Sequence, residues 1–90
     1  MNDHKILLKI VSLSGTYEED YPHHQKLSHV MKDAFKRLEI TPSEGEDWGL
    51  FYEATRLNLD RTIEEAGLPS GTTLTLAPQE GGGGTQWTLR

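Results

Sequence analysis

Four consecutive glycines, Gly81-Gly82-Gly83-Gly84, are followed in this 90-residue sequence by Thr85-Gln86-Trp87-Thr88-Leu89-Arg90. A glycine run has more backbone freedom than any other sequence and carries no side chain to pack. A narrow enzyme channel could thread such a peptide and reach a main-chain carbonyl with no Cβ in the way. Activation or conjugation of a glycine carboxylate needs that access. Here the carboxylate would be uncovered only by removing residues 85–90. A flexible linker followed by a joining sequence gives the same pattern without any chemistry. The glycines alone favour the linker reading, and the rest of the chain has to decide.

The other residue groups with chemical potential are weaker. His4, His23, His24 and His29 include no pair at the i, i+4 helical spacing of a ligand couple, and cysteine is absent, so no metal is expected. Glu18-Glu19-Asp20 and Glu44, Glu46 and Asp47 are carboxylate clusters. A catalytic pair needs a cleft and a partner of different pKa, so solvated faces are expected for both. Neither Ser14-Gly15 nor the glycine run carries the Lys-Ser/Thr of a phosphate-binding loop. No enzyme is expected, and no cofactor bound by this chain. Any chemistry makes the chain a substrate.

Composition bounds the rest. Ninety residues support one small domain, and there is no internal repeat. Hydrophobic residues at 34% and a mean hydropathy of -0.60 are low, yet the apolar residues cluster periodically, which argues for a folded domain. The longest apolar run, Ile6-Leu7-Leu8, is too short to span a bilayer. A net charge of -5 argues against nucleic acid and suits a partner with a basic surface. A monomeric, cytoplasmic protein is the expectation.

Residues 4–13 (HKILLKIVSL) read as a strand, with Ser14-Gly15 as the hairpin turn and residues 16–21 as a polar return strand stopped by Pro22. Its acidity suits a sheet edge. Ile6, Leu8 and Ile10 share one face, opposite Leu7 and Val11. From about His24 the period changes: Leu27, Val30, Met31, Ala34, Phe35 and Leu38 form one apolar stripe on an amphipathic helix, with Lys36 and Arg37 near its C-terminus. Residues 41–46 are loop. Residues 47–53 are a strand with Trp48, Leu50 and Tyr52 on one face and Gly49 and Phe51 on the other. A short strand is expected over 56–59, then a short helix over 60–66 with Asp60 as N-cap, ended by Gly67. Residues 72–77 form the last strand, with Leu74 and Leu76 inward.

A hairpin, one helix and a last strand that returns beside the first is the β-grasp order, an α+β fold in which a mixed sheet wraps round one main helix. The segment LNLDRTIEEAGLPSGTTLTLAPQEGG resembles the second half of ubiquitin-like proteins, where a short Asp-Arg-Thr-aliphatic turn and a Thr-Leu-x-Leu strand lead into a diglycine tail. HHQKLSHVMKDAFKRL with the later tryptophan strand is similar to bacterial ubiquitin-like proteins encoded beside E1-, E2- and deubiquitinase-like genes.

That resemblance implies a modifier precursor: a ubiquitin-like domain over 1–80, a glycine tail over 81–84 and a propeptide over 85–90. A deubiquitinase-like peptidase would cut between Gly84 and Thr85. An E1-like enzyme using ATP and Mg would adenylate Gly84, with Gly83 beside it, and pass it to an E2-like enzyme. Four glycines stand where two are usual, so Gly82 is the alternative terminus. Pro78-Gln79-Glu80 is acidic where ubiquitin is basic, so a eukaryotic activating enzyme is not expected to accept the chain. A sulfur carrier of the same fold and a non-conjugated interaction module are the rival readings. Phe51, with Leu7, Val11 and Ala77, faces outward if Leu50 and Leu74 face the helix, and is expected to form the partner-docking patch. Trp87 is either a recognition residue for the processing enzyme or a passive exposed ring.

Overall fold

The computed structural model describes residues 4–79. The expected processing and activation residues, Gly81 to Gly84, Thr85 and Trp87, lie outside them.

Five strands and one helix follow the order β1 (Lys5–Ser12), β2 (Gly15–Pro22), α1 (Leu27–Arg37), β3 (Asp47–Tyr52), β4 (Thr55–Arg56) and β5 (Thr72–Gln79). They form one mixed sheet in the order β2-β1-β5-β3-β4. The hairpin keeps a continuous antiparallel register from Lys5 opposite Pro22 to Ser12 opposite Gly15. Its two-residue loop is therefore Leu13-Ser14, one position before the expected turn, and Gly15 already belongs to β2. The last strand pairs parallel with the first, Leu8 to Val11 opposite Thr72 to Thr75, and antiparallel with β3 on its other side. The acidic β2 lies at the sheet edge as expected.

Alternation decides which side chains enter the core. Leu8, Ile10, Leu50, Leu74 and Leu76 are buried against Leu27, Val30 and Ala34 of the helix, while Ile6, Met31, Phe35, Leu38 and Trp48 pack around them half-buried. Phe35 meets Trp48 edge to face, with ring centroids 5.4 Å apart. This geometry adds attraction beyond the buried area. The expected helix stripe and its facing sheet positions are thus found as read.

The last strand does not stop at Pro78 but runs on to Gln79, with Pro78 opposite Trp48 and Gln79 opposite Asp47. Three further local readings are corrected. The helix begins at Leu27, not near His24, because Lys26 is extended and bridges Thr62. The first helical amides are taken by another segment: Leu27 N–H donates to the carbonyl of Arg61 and Ser28 N–H to that of Leu59, 2.9 and 3.0 Å. The expected short strand is displaced to Thr55–Arg56, where the β3–β4 hairpin closes. The expected helix over 60–66 is instead a series of turns. Its cap is Thr62, not Asp60: Thr62 Oγ1 accepts from Glu65 N–H and Glu65 Oε1 accepts from Thr62 N–H, both at 3.0 Å. That reciprocal pair is a capping box closing a single helical turn, completed by Ala66 N–H to the Thr62 carbonyl. Asp60 N–H is occupied by Asn58 Oδ1. The turn still delivers Ile63 and Leu68 to the core.

Candidate functional site

The sheet face turned away from the helix presents side chains in cross-strand rows. One row runs Thr16, Val11, Thr75, Phe51, Arg56 across all five strands. Strand spacing puts Val11 and Phe51 roughly 10 Å apart with Thr75 between them. Ala77 lies two residues further along β5 and opposite Gly49, diagonal to Phe51. Because β1 and β5 are parallel, Leu13 continues β1 toward the level that Ala77 reaches on β5. Leu13 is fully exposed, the large apolar side chain with least cover among the described residues. Leu7 is separate. It stands beside the start of β5, where its N–H donates to Ser70 Oγ at 2.9 Å and its carbonyl accepts from Gly71 N–H.

Of the four residues expected to form the docking patch, the structure therefore gathers Val11, Phe51 and Ala77 and leaves Leu7 at the opposite end. All four are half-buried, so Phe51 is flanked rather than standing free on the sheet. Leu13 was missed. The signal was present: positions 7, 9, 11 and 13 share one strand face, and the alternation carries an outward leucine into the turn.

Arg56 is the second residue missed. Its guanidinium lies flat across β3, donating to both carboxylate oxygens of Asp47 at 2.9 and 2.8 Å, to the Trp48 carbonyl at 3.1 Å and to Gln79 Oε1. Gly49 makes this possible, since a Cβ there would stand 2.9 Å from Arg56 Nε. The fork-on-fork contact with Arg56 holds the Asp47 carboxyl below its ordinary range. Gln79, the last described residue of β5, is thereby tied to β3 and β4. One turn away, Glu46 accepts from the Ser43 N–H at 2.8 Å and from the Trp48 indole N–H at 2.9 Å, which lowers its carboxyl too. Glu46 and Asp47 are thus exposed but engaged, rather than only solvated as expected.

The histidines fall in two places. His4, His23 and His24 meet edge-on, with centroids 5.9 and 5.4 Å apart, and His23 Nδ1 is 3.1 Å from Glu64 Oε1. His29 lies on the helix, where its Nδ1 accepts from Gln25 Nε2 at 2.7 Å. Among the described residues, no three His, Asp or Glu side chains converge as a metal-ligand set. No helix among them is long and apolar enough to cross a membrane.

No protein-family model matches the sequence, and no curated protein matches it either. Solved structures do match the fold. The ubiquitin of Caldiarchaeum subterraneum superimposes with a TM-score of 0.71 at 20% identity, over 88% of this chain and 99% of that one. A de novo protein designed from ubiquitin gives 0.69 at 23% identity, over 90% and 96%. A chain solved in work on molecular mimicry of SUMO that promotes DNA repair gives 0.74 at 15% identity, over 86% and 95%. The chain has the ubiquitin-like β-grasp fold, a mixed five-stranded sheet with one helix.

Proposed function

We propose that this chain is the precursor of a ubiquitin-like protein modifier. A peptidase removes residues 85–90, an E1-like enzyme adenylates Gly84 with ATP, and an E2-like enzyme carries the acyl group to a target. The observation that carries this reading is where the glycines attach. Glu80 and Gly81 to Gly84 follow directly on Gln79, the end of a strand in the middle of the sheet. Ala77 lies two residues before that end, and Val11 and Phe51 flank Thr75 two residues earlier, so a partner docked on this face lies along the strand that leads into the tail.

The cut after Gly84 is favoured over Gly82 because it leaves the longer reach. The five residues beyond the end of β5, 80–84, extend roughly 16–18 Å at full stretch. The test is intact-mass spectrometry of the full chain with its cognate peptidase and E1-like enzyme, with and without ATP, beside Gly84→Val. The reading requires loss of the last six residues, an ATP-dependent adduct on the shortened wild-type chain, and neither product from Gly84→Val. A gain of one sulfur makes the chain a sulfur carrier. An unchanged mass makes it an interaction module. Truncation after Gly82 moves the terminus but keeps the modifier.

A further inference from the structure

The solvent face of α1 is basic in a chain that is otherwise acidic. Of nine Lys and Arg residues, Lys26, Lys32, Lys36 and Arg37 lie between the N-cap Lys26 and the C-cap Leu38; of fourteen Asp and Glu residues, Asp33 lies there and Glu39 directly follows. His29, Lys32, Asp33 and Lys36 line a shallow concavity of about 260 Å³ on that face, and Lys26 extends the stripe by one turn. Asp33 does not neutralise it. Its Oδ2 accepts from Tyr21 O–H at 2.7 Å and lies 3.6 Å from Arg37 Nε. Arg37 is itself held by Glu19 at 2.8 Å. Among the described residues the ion pairs use His23, Arg37 and Arg56, and none uses a lysine.

The placement of Lys26 also runs against helix chemistry, whereas Lys36 and Arg37 suit the last turn. Lys26 is the N-cap residue and makes no side-chain cap bond, and the first turn carries no acidic residue. That end of a helix favours Asp, Ser or Asn and negative charge. Departures from local preference of this kind concentrate at functional positions. The amides at this end are partly occupied by the carbonyls of residues 59 and 61. Recognition there falls to side chains.

We propose that the His29–Lys32–Lys36 stripe, extended by Lys26, is a docking site for a short acidic segment of a partner protein. The stripe is narrow: His29 to Lys36 spans roughly 10 Å of helix. It is framed by carboxylates, with Glu19 on the β2 side and Glu64 and Glu65 on the turn that packs at the helix start. A broad anionic surface such as a bilayer or a nucleic acid would meet those carboxylates as well, whereas a peptide with two or three acidic side chains meets only the stripe. The site lies on the side of the molecule opposite the outer sheet face. It does not depend on the tail being processed.

The test is ¹⁵N-HSQC titration of the full chain at low salt with an Asp/Glu-rich decapeptide, its Asn/Gln counterpart, phosphatidylserine vesicles and a single-stranded oligonucleotide. The acidic peptide should shift the amides of residues 26–36 and weaken as salt is added. Lys32→Ala/Lys36→Ala should raise its Kd roughly tenfold while leaving the fold intact. Lys26→Asp reverses one charge of the stripe at a helix end that favours negative charge, so peptide affinity should fall with no loss of thermal stability. The proposal fails if the acidic peptide shifts nothing, shifts residues elsewhere, or binds no better than the Asn/Gln peptide. It also fails if the vesicles or the oligonucleotide occupy the stripe in its place.

Discussion

Gly49 and Arg56 act as a pair, and the consequence is specific. Gly49→Ala puts a methyl group 2.9 Å from Arg56 Nε, so the flexible guanidinium must lift from the sheet while the backbone stays. Gly49 is buried, but the atoms met belong to a flexible side chain and not to backbone, so the fold is expected to survive the change. The expected signature is chemical: without its guanidinium partner the Asp47 carboxyl should titrate higher than in the wild type, measured by carboxyl-detected NMR. An unchanged Asp47 titration would mean that Arg56 keeps its place by another route. Glu46 makes a related prediction with a definite sign. Its carboxyl is lowered in the fold, so it adds stability above the ordinary carboxylate value of about 4 and loses it as pH falls through the folded value. Thermal melts at pH 7 and pH 3 should therefore differ less for Glu46→Gln than for the wild type. Neither residue was legible beforehand, because a carboxylate in a loop looks alike in sequence whether it meets water or an indole N–H.

The helix ends illustrate what sequence can and cannot specify at the scale of an element. The α1 stripe was readable because six apolar residues repeat at a helical period, and each packs on the core. Its start was not, because the partners of its first amides lie more than thirty residues away at Leu59 and Arg61. The end is a Schellman motif: Ile40 N–H donates to the Phe35 carbonyl at 2.9 Å and Glu39 N–H to that of Lys36 at 3.2 Å. Glu39 occupies the left-handed position at φ 55°, where glycine has no steric cost. Glu39→Gly should stabilise the domain by about 0.5–1 kcal/mol. At about 4–8 °C per kcal/mol for a domain of this size, calorimetry can resolve it. A lower Tm would show that the Glu39 side chain contributes more than its backbone costs. The 60–66 segment misled for a related reason. Thr62 and Glu65 satisfy one turn so completely that the segment closes on itself before a helix can extend.

For the whole molecule, the outer sheet face gathers Val11, Phe51 and Ala77 along β5, the strand that leads into the tail. Phe51→Ala should leave the thermal unfolding nearly unchanged, since Phe51 is outside the buried cluster. If the chain is the proposed modifier, the same change should weaken binding to an E1-like enzyme or processing peptidase by about 1 kcal/mol or more, read by calorimetric titration. Unfolding in place of weakened binding would put Phe51 in the core. The β-grasp architecture was legible from element order and alternation, including the return of the last strand beside the first. The composition of the face was not fully legible. Which outward residues become neighbours depends on a parallel register between strands sixty-four residues apart, Leu8 beside Thr72, and no local pattern encodes that offset.

That parallel pairing also decides how the domain responds to force. The free ends of β1 and β5 point in opposite directions, Lys5 at one end of the ladder and Gln79 at the other. Tension applied between those ends loads the ladder lengthwise, so its hydrogen bonds share the strain and must break together. Tension that drew the edge strand β2 sideways would open its bonds one after another. A motor pulling on the body through the end of β5 would therefore meet a shear clamp, and resistance to forced unfolding, set by the unfolding barrier rather than by equilibrium stability, would be greatest along that axis.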